Sequence, residues 1–146
     1  MIAVDTNLLV YAHRPDSEWH EPAAKRIREL AEGRAPWAIP WQCVHEFVGI
    51  VTHPRIFDPS TPLDTALDAV DAWLESPSLL LLSETPRYWQ TLRELLRAAV
   101  AVGPRIHDAR VAALCLAHDV RELWTADRDF GRFPALVTRN PLVAER

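Results

Sequence analysis

"VDTNLLVYAH", residues 4–13, is an apolar stretch that three polar residues interrupt, Asp5, Thr6 and Asn7. Val4 ends a strand-like run, and residues 8–12 are typical of a buried helical turn. The polar residues are therefore predicted to lie at a strand-to-helix junction, the place where open α/β sheets bind ligands. From this stretch alone Asp5 has two interpretations, as the cap of the following helix or as part of a ligand site.

Strand and helix patterns alternate along the rest of the chain. They predict an α/β fold with a central, mainly parallel sheet of four to five strands flanked by helices. Strands are predicted at residues 2–5, 36–40, 78–82, 122–127 and 134–138. Helices are predicted at residues 7–13, 17–33, 40–51, 62–76, 85–103 and 106–118. No repeat or linker interrupts the series, so residues 1–146 are interpreted as a single domain.

Several helix boundaries carry recognisable signals. Ser17 is the predicted N-cap of the second helix, with Pro22 in its first turn unless that helix begins later. Ser60 or Thr61 is predicted to cap the fourth helix. The Pro-rich segment 53–62 before it is predicted to be an exposed loop.

Composition restricts the class of protein. Apolar residues make up 49% of the 146 residues, which suffices for a sizeable core. No stretch approaches the roughly 18 to 20 apolar residues of a membrane span, and the start of the chain lacks a secretory signal pattern. Cys43 and Cys115 are too few and too far apart for a disulfide framework or a zinc motif. We therefore expect a cytoplasmic protein without a membrane partner.

The formal charge of −4 argues at first against a nucleic-acid partner. Of the 16 basic residues, however, all except Lys25 are Arg. Arg suits bidentate phosphate contacts, although genome composition also produces such a bias. If four carboxylates form a metal site, removing their four charges from −4 leaves 0. Net charge therefore leaves the partner open.

Most of the 20 acidic residues lie opposite the apolar stripes of helices and are predicted to be solvated. Four are placed differently. Asp5 and Asp127 end strands of the buried type, Glu46 lies beside the apolar face of its helix, and Asp108 begins an otherwise apolar helix. Because the carboxyl ends of parallel strands meet at one edge of the sheet, these acids are predicted to converge there.

Each of these acids also has a simpler interpretation. Asp108 can act as the N-terminal partner of a helix dipole, and Glu46 can be a half-exposed helix residue. Asp127 and Asp129 can both form the turn in "ADRDFG". The joint placement of four acids favours a shared site.

Clustered carboxylates need a cation or a proton. Two of them about 4 Å apart repel by roughly 1 kcal/mol in water and by about 4 kcal/mol at an effective dielectric constant near 20. An all-oxygen ligand set suits Mg²⁺ or Mn²⁺ rather than Zn²⁺. Such a site favours phosphodiester hydrolysis, in which a metal ion activates water.

The opening stretch, Glu46, "HDARVAALCLAHDV" (107–120) and "LWTADRDFGRFPAL" (123–136) together resemble the PIN domain. In particular they resemble the VapC ribonuclease toxins of bacterial type II toxin–antitoxin pairs. The resemblance covers the whole chain in length and order, and "TADRDFGRFPAL" is its most specific part. It implies a metal-dependent endoribonuclease that uses Mg²⁺ or Mn²⁺, cuts RNA, forms a homodimer and is held inactive by a small antitoxin of the VapB type.

By this resemblance the acidic quartet of the family matches four residues, which would be both catalytic and metal-binding: Asp5, Glu46, Asp108 and Asp127. Asp5 and Asp108 would be the firmest ligands. Three neighbours would orient carboxylates or water by hydrogen bonds: Thr6, Asn7 and Thr125. Asp129 either joins the site or caps the turn at "DFGRF", and the cap is the favoured interpretation.

Three other functions compete with this prediction. A catalytically silent PIN-like interaction module would not need all four acids. An RNA-processing nuclease without a toxin role would differ only in its biological setting. A phosphatase with Asp5 as nucleophile would resemble D-x-D-x-T, but Asn7 stands where the second Asp belongs.

Aromatic and basic residues give weaker signals. Phe130 and Phe133 are predicted to anchor the core, and the six Trp are expected in the core or a subunit interface more than in base stacking. Four basic residues are expected to be ordinary surface residues rather than an RNA path: His13, Arg14, His20 and Arg55.

Overall fold

A five-stranded parallel sheet forms the centre of the molecule in the computed structural model, which describes residues 1–144. The strands are β1 (Ile2–Val4), β2 (Trp37–Pro40), β3 (Leu79–Leu82), β4 (Glu122–Trp124) and β5 (Thr138–Arg139). The helices are α1 (Thr6–His13), α2 (His20–Glu32), α3 (Trp41–Val51), α4 (Leu63–Leu74), α5 (Tyr88–Ala99) and α6 (Arg105–Ala117), and a short 3-10 helix spans Arg128–Arg132. The predicted fold class is confirmed.

The order of the strands places a switch point beside β1. The order is β3-β2-β1-β4-β5, and every neighbouring pair is parallel. From β1 the chain builds the sheet outward through β2 and β3, then returns to the other side of β1 with β4 and β5. In open α/β sheets ligands bind at the carboxyl ends of the strands where the order reverses, which here is between β1 and β4.

Buried apolar residues fix the sheet between its helices. β1 and β2 are almost free of polar residues, as expected for central strands covered on both faces. Helices α1 and α3 pack together, α1 also contacts α2, and α5 lies against α6. Phe130 and Phe133 are 1% and 2% exposed and belong to this core, which confirms their predicted role.

Two predicted helix caps are wrong. Helix α2 begins at His20, and Ser17 lies in the preceding turn, where its hydroxyl accepts the Trp19 N–H at 3.1 Å. Pro22 does fall in the first turn of α2. Helix α4 begins after Pro62 without a side-chain cap, so neither Ser60 nor Thr61 fills that role.

Thr61 and the loop at 53–62 are instead held by Arg14. The Arg14 guanidinium donates to the Thr61 hydroxyl at 3.3 Å and to the Pro59 carbonyl at 2.9 Å, and it pairs with Asp16 at 2.7 Å. Arg14 is only 9% exposed, so the expectation that it is an ordinary surface residue is wrong. The loop itself is mostly exposed, as predicted.

The ends of α5 and β5 also differ from the prediction. Helix α5 stops at Ala99 rather than Gly103, because Val100 takes a left-handed conformation with φ 48°. The N–H of Ala101 then donates to the Leu96 carbonyl at 3.0 Å and closes the helix. Strand β5 begins at Thr138, four residues later than predicted.

No helix within residues 1–144 is long and apolar enough to cross a bilayer.

Candidate active site

Asp5 lies at the floor of a cleft at the switch point and is 6% exposed. Its backbone N–H donates to the Trp124 carbonyl at 3.0 Å, which fixes it beside the end of β4. Its Oδ1 atom accepts the Thr6 N–H at 2.8 Å and so caps α1. Both interpretations of Asp5 are therefore compatible, because the cap uses one oxygen while the residue lines the cleft.

Thr125 connects the two strand ends through its hydroxyl group. The hydroxyl donates to Asp5 Oδ2 at 2.8 Å and accepts the Asn7 side-chain amide at 3.1 Å and the Asp127 N–H at 3.0 Å. Asn7 completes the link, because its Oδ1 accepts the Ala126 N–H at 3.1 Å. The β4 end is thus tied to the β1 end by side chains as well as by strand pairing.

Thr6 ties the same floor to α3. Its hydroxyl donates to Glu46 Oε2 at 2.7 Å across 40 residues of sequence. Glu46 and Ile50 lie one helical turn apart on α3, and both line the cleft. Glu46 lies beside the apolar face of its helix, as predicted, and this position places its carboxylate in the same cleft as Asp5.

The rest of the cleft lining comes from α6 and the turn after β4. Asp108 and Asp127 line the cleft, which has a volume of about 190 Å³. Carboxylate oxygens of Asp108, Asp127 and Asp129 all lie within 4.8 Å of one another. All four acids of the predicted quartet thus lie along one cleft, together with Thr6 and Asn7. Thr125 does not line the cleft but donates to Asp5 beneath it.

Asp129 departs from its favoured interpretation. The turn is capped by Asp127, whose Oδ1 accepts the Asp129 N–H at 2.8 Å. The Asp129 carboxylate is left beside Asp108 and Asp127. Either Asp in "DRD" can cap the turn, because both are turn formers. The sequence alone does not decide between them, whereas the hydrogen bonds after β4 do.

The electrostatics of the cleft disfavour additional negative charge. Burial raises the pKa of Asp5, although its hydrogen bonds oppose this. Burial, followed by the nearby Asp127 carboxylate, raises the pKa of Asp108 to about 6. No Lys or Arg within residues 1–144 forms an ion pair with any of these five acids. A divalent cation would supply the missing positive charge.

The donor set fits Mg²⁺ or Mn²⁺. Every side-chain ligand atom offered at the Asp108, Asp127 and Asp129 group is a carboxylate oxygen, and hard cations prefer such oxygens. Neither Cys residue offers a free ligand, because Cys43 and Cys115 are both fully buried. The chemistry of the residues present thus agrees with the predicted metal and disfavours Zn²⁺.

Sequence reasoning missed two residues of α3. The Cys43 Sγ atom approaches Asp5 Oδ1 at 3.5 Å as a weak donor, and the Gln42 amide donates to the His107 carbonyl at 3.1 Å. Both lie three or four residues before Glu46, which is the helical spacing for one shared face. That periodicity is the signal in the sequence that identifies them.

The fold and the cleft define a class of α/β protein with a carboxylate-lined site at the switch point of a parallel sheet. The sequence profile of the PIN domain matches residues 2–136. The chain therefore belongs to the PIN domain family.

Its relatives and structural neighbours include VapC and VapBC proteins. The chain is 38% identical to ribonuclease VapC43 of Mycobacterium tuberculosis, over 97% of this chain and 96% of that one. It is 31% identical to ribonuclease VapC37 of the same organism, over 91% and 92% of the two chains. The structure of VapBC-1 from Haemophilus influenzae shares the fold, with a TM-score of 0.69, 16% identity and coverage of 97% and 98%.

Proposed function

We propose that this protein is a metal-dependent endoribonuclease and acts as the toxin of a VapBC-type toxin–antitoxin pair. The observation that carries the proposal is the convergence of four acids from four separate segments on one cleft at the switch point. The identity of 38% to a ribonuclease VapC over nearly the whole chain supports RNA as the substrate.

Asp5, Glu46, Asp108 and Asp127 are the proposed catalytic and metal-binding residues, with Mg²⁺ or Mn²⁺ as the cofactor. When bound, the cation activates water and neutralises charge on the phosphodiester. Asp108 and Asp127, whose oxygens are close together, would hold it most directly, in place of the pair Asp5 and Asp108 expected from the sequence, and Asp129 would join them. Asp5 and Glu46 would add two further carboxylates to the same cleft.

Thr6, Asn7 and Thr125 hold those carboxylates in place rather than taking part in bond cleavage. Asp5 Oδ2 accepts from both Thr125 and Asn7, at 2.8 and 3.3 Å, and Glu46 accepts from Thr6. Hydrogen bonds of this kind fix the orientation and basicity of metal ligands. They also oppose the rise that burial causes in the pKa of Asp5, because hydrogen bonds to the charged form favour it.

The competing functions have less support. A phosphatase with a second acid two residues after Asp5 is disfavoured, because Asn7 uses its amide to bind Thr125 and Ala126. A catalytically silent module would have no use for the complete set of acids with their hydrogen bonds. A small VapB-type antitoxin and a homodimeric assembly are proposed as partners, because the relatives are VapC proteins and the structural neighbour is a VapBC complex.

RNA cleavage by the purified protein tests the proposal. With Mn²⁺ or Mg²⁺ the wild type is expected to cut structured RNA internally, and EDTA is expected to stop it. Asp5→Asn and Asp108→Asn are expected to lose activity by at least about 100-fold, since each removes a charged group from the site.

Asp68→Asn is the matched control, because Asp68 is an exposed residue of α4. It is expected to retain full activity. Equal cutting by the wild type, Asp5→Asn and Asp108→Asn would show that the activity does not come from this site. An inactive wild type that binds a small partner tightly and binds no divalent cation would favour the silent module.

A further inference from the structure

A second cavity, which we call the α3–α6 cavity, lies next to the acidic cleft. Its volume is about 140 Å³, and six of its lining residues are Trp41, His45, Leu82, Glu84, Arg110 and Leu114. Its residues come from α3, from α6, from the end of β3 and from the start of α5. It opens to solvent at Trp41 and Glu84, which are both exposed.

The cavity and the cleft share two helices. Successive residues of a helix point about 100° apart, and on α3 His45 lines the cavity while Glu46 lines the cleft. On α6 Arg110 lines the cavity while Asp108 lines the cleft. The hydrogen bond from Gln42 to the His107 carbonyl joins the two helices. The cleft and the cavity therefore lie on different faces of one pair of helices that this hydrogen bond joins.

One wall of the cavity is aromatic and flat. Trp41 is 38% exposed, and its ring stacks on His45 with 6.1 Å between centroids and 29° between planes. Leu82 and Leu114 add apolar surface. Cavities of about 150 Å³ hold a single aromatic ring such as benzene, so this cavity has room for one ring of a planar base, and its open side at Trp41 and Glu84 leaves the rest of the base in solvent.

Two side chains and one amide oxygen at this cavity have no protein partner within residues 1–144. Neither Arg110 nor Glu84 forms an ion pair or side-chain hydrogen bond within residues 1–144. Gln42 also lines the cavity, and its Oε1 atom has no donor in the same part of the chain. Buried polar atoms are nearly always satisfied. A ligand with acceptors for Arg110 and donors for the carboxylate and amide oxygens would satisfy this wall.

We propose that the α3–α6 cavity binds one base of the RNA substrate and that guanine is the base it prefers. The base would stack on the Trp41–His45 pair. Guanine offers Arg110 the acceptors O6 and N7, the commonest base contact of arginine, and its N–H groups face acceptors such as Glu84. The inference rests on the proposed ribonuclease function. It adds the residues that select the RNA sequence at which the protein cuts.

Cleavage of an RNA library with randomised positions tests the proposal. The wild type is expected to enrich guanine at one position a fixed distance from the cut. Trp41→Ala is expected to lower cleavage of guanine-containing RNA by about 5- to 150-fold, the range that follows from removing one base-stacking contact. Arg110→Ala is expected to relax the choice of base, and Trp41→Phe to keep most of the cleavage activity. Trp89→Ala is the control, because Trp89 is 63% exposed and lies outside the cavity.

The outcomes separate this proposal from the ribonuclease proposal. A wild type that cuts RNA with a preference that Trp41→Ala and Arg110→Ala leave unchanged overturns the base site alone. If Trp41→Ala instead converts a dimer to a monomer in sedimentation, the cavity is a subunit contact, and the proposal is also overturned.

A binding measurement does not depend on cleavage. In EDTA, the NMR signal of the Trp41 indole N–H, assigned with Trp41→Phe, is expected to shift on adding a guanine-containing hexanucleotide. An all-uridine hexanucleotide is expected to shift it less. No shift with either RNA would contradict a base site, whether or not the protein cuts RNA.

Discussion

Thr125 links the two strand ends of the site through a single group. Its one hydroxyl serves Asp5, Asn7 and the backbone of Asp127. Thr125→Val keeps the shape of the side chain but leaves one buried carboxylate oxygen with fewer donors. We expect Mn²⁺ affinity, measured by titration calorimetry, to fall by about 10- to 100-fold.

Thr125→Ser keeps the hydroxyl and is expected to remain within a few-fold of the wild type. An unchanged Mn²⁺ affinity in Thr125→Val would mean that the hydroxyl does not position the acids.

Asp108 is expected to destabilise the metal-free protein at neutral pH. Its pKa of about 6 in the folded state lies above the ordinary value of 3.8. A carboxyl whose pKa is raised by folding holds its proton more tightly in the folded state, so its contribution to stability falls as pH rises from about 4 to 6 and stays low above.

Asp108→Asn removes this charge without changing the size of the side chain. In EDTA at pH 8 the variant is expected to be more stable than the wild type by on the order of 1 kcal/mol, after allowance for solvent screening. At pH 4 the difference is expected to vanish. Thermal unfolding at the two pH values measures this, and a variant less stable than the wild type at pH 8 would contradict it.

The roles of individual residues were predictable where position along an element determines them. Asp5, Glu46, Asp108 and Asp127 reach one cleft because strand ends and helix faces place them there. The use of Asp127 rather than Asp129 as the turn cap was not predictable. Both have the same local chemistry, and the choice depends on hydrogen bonds that form only after β4 is in place.

The C-terminus of α5 ends in a strained conformation. Val100 has φ 48° and is 76% exposed, and a β-branched residue is a poor fit to the left-handed region. Val100→Gly is expected to raise the free energy of unfolding by about 1 kcal/mol. Relief of roughly 1–2 kcal/mol of strain is larger than the entropic cost of a new glycine, which is roughly 0.5–1 kcal/mol.

Val102→Gly is the matched control for chemical denaturation. Val102 is 68% exposed but does not have a positive φ. It is expected to lose stability or stay unchanged. Equal effects of the two substitutions would show that the left-handed conformation of Val100 costs nothing.

Helices and strands were predictable in number, order and type, whereas several of their ends were not. Apolar periodicity depends on many residues and indicates each element. A boundary depends on one or two residues, such as Val100, whose left-handed conformation lets the Ala101 N–H close the helix on Leu96. Pro62 likewise begins α4 without the hydroxyl cap that the sequence offers next to it.

The topology of the entire sheet explains why residues so far apart in the sequence form one site. Asp5 and Asp127 follow neighbouring parallel strands on the two sides of the switch point, and α3 and α6 bring Glu46 and Asp108 over the same edge. The sheet order itself could not be read from the sequence, because strand patterns do not reveal their neighbours. The prediction that the acids converge succeeded because any parallel arrangement puts strand ends on one edge.

The fold thus concentrates negative charge where no basic side chain of residues 1–144 balances it by an ion pair. A protein that binds a cation only when folded gains stability from it, by about 2.7 kcal/mol at a concentration 100 times the dissociation constant. The cleft is therefore expected to carry a cation under working conditions, and the ribonuclease proposal requires it there.

Anomalous diffraction from crystals grown with Mn²⁺ tests this claim most directly. We predict a manganese peak bonded to carboxylate oxygens of Asp108 and Asp127, between α6 and the end of β4, which disappears in Asp108→Asn crystals. A cleft without a peak at saturating Mn²⁺, or a manganese ion bound only elsewhere on the protein, would contradict it.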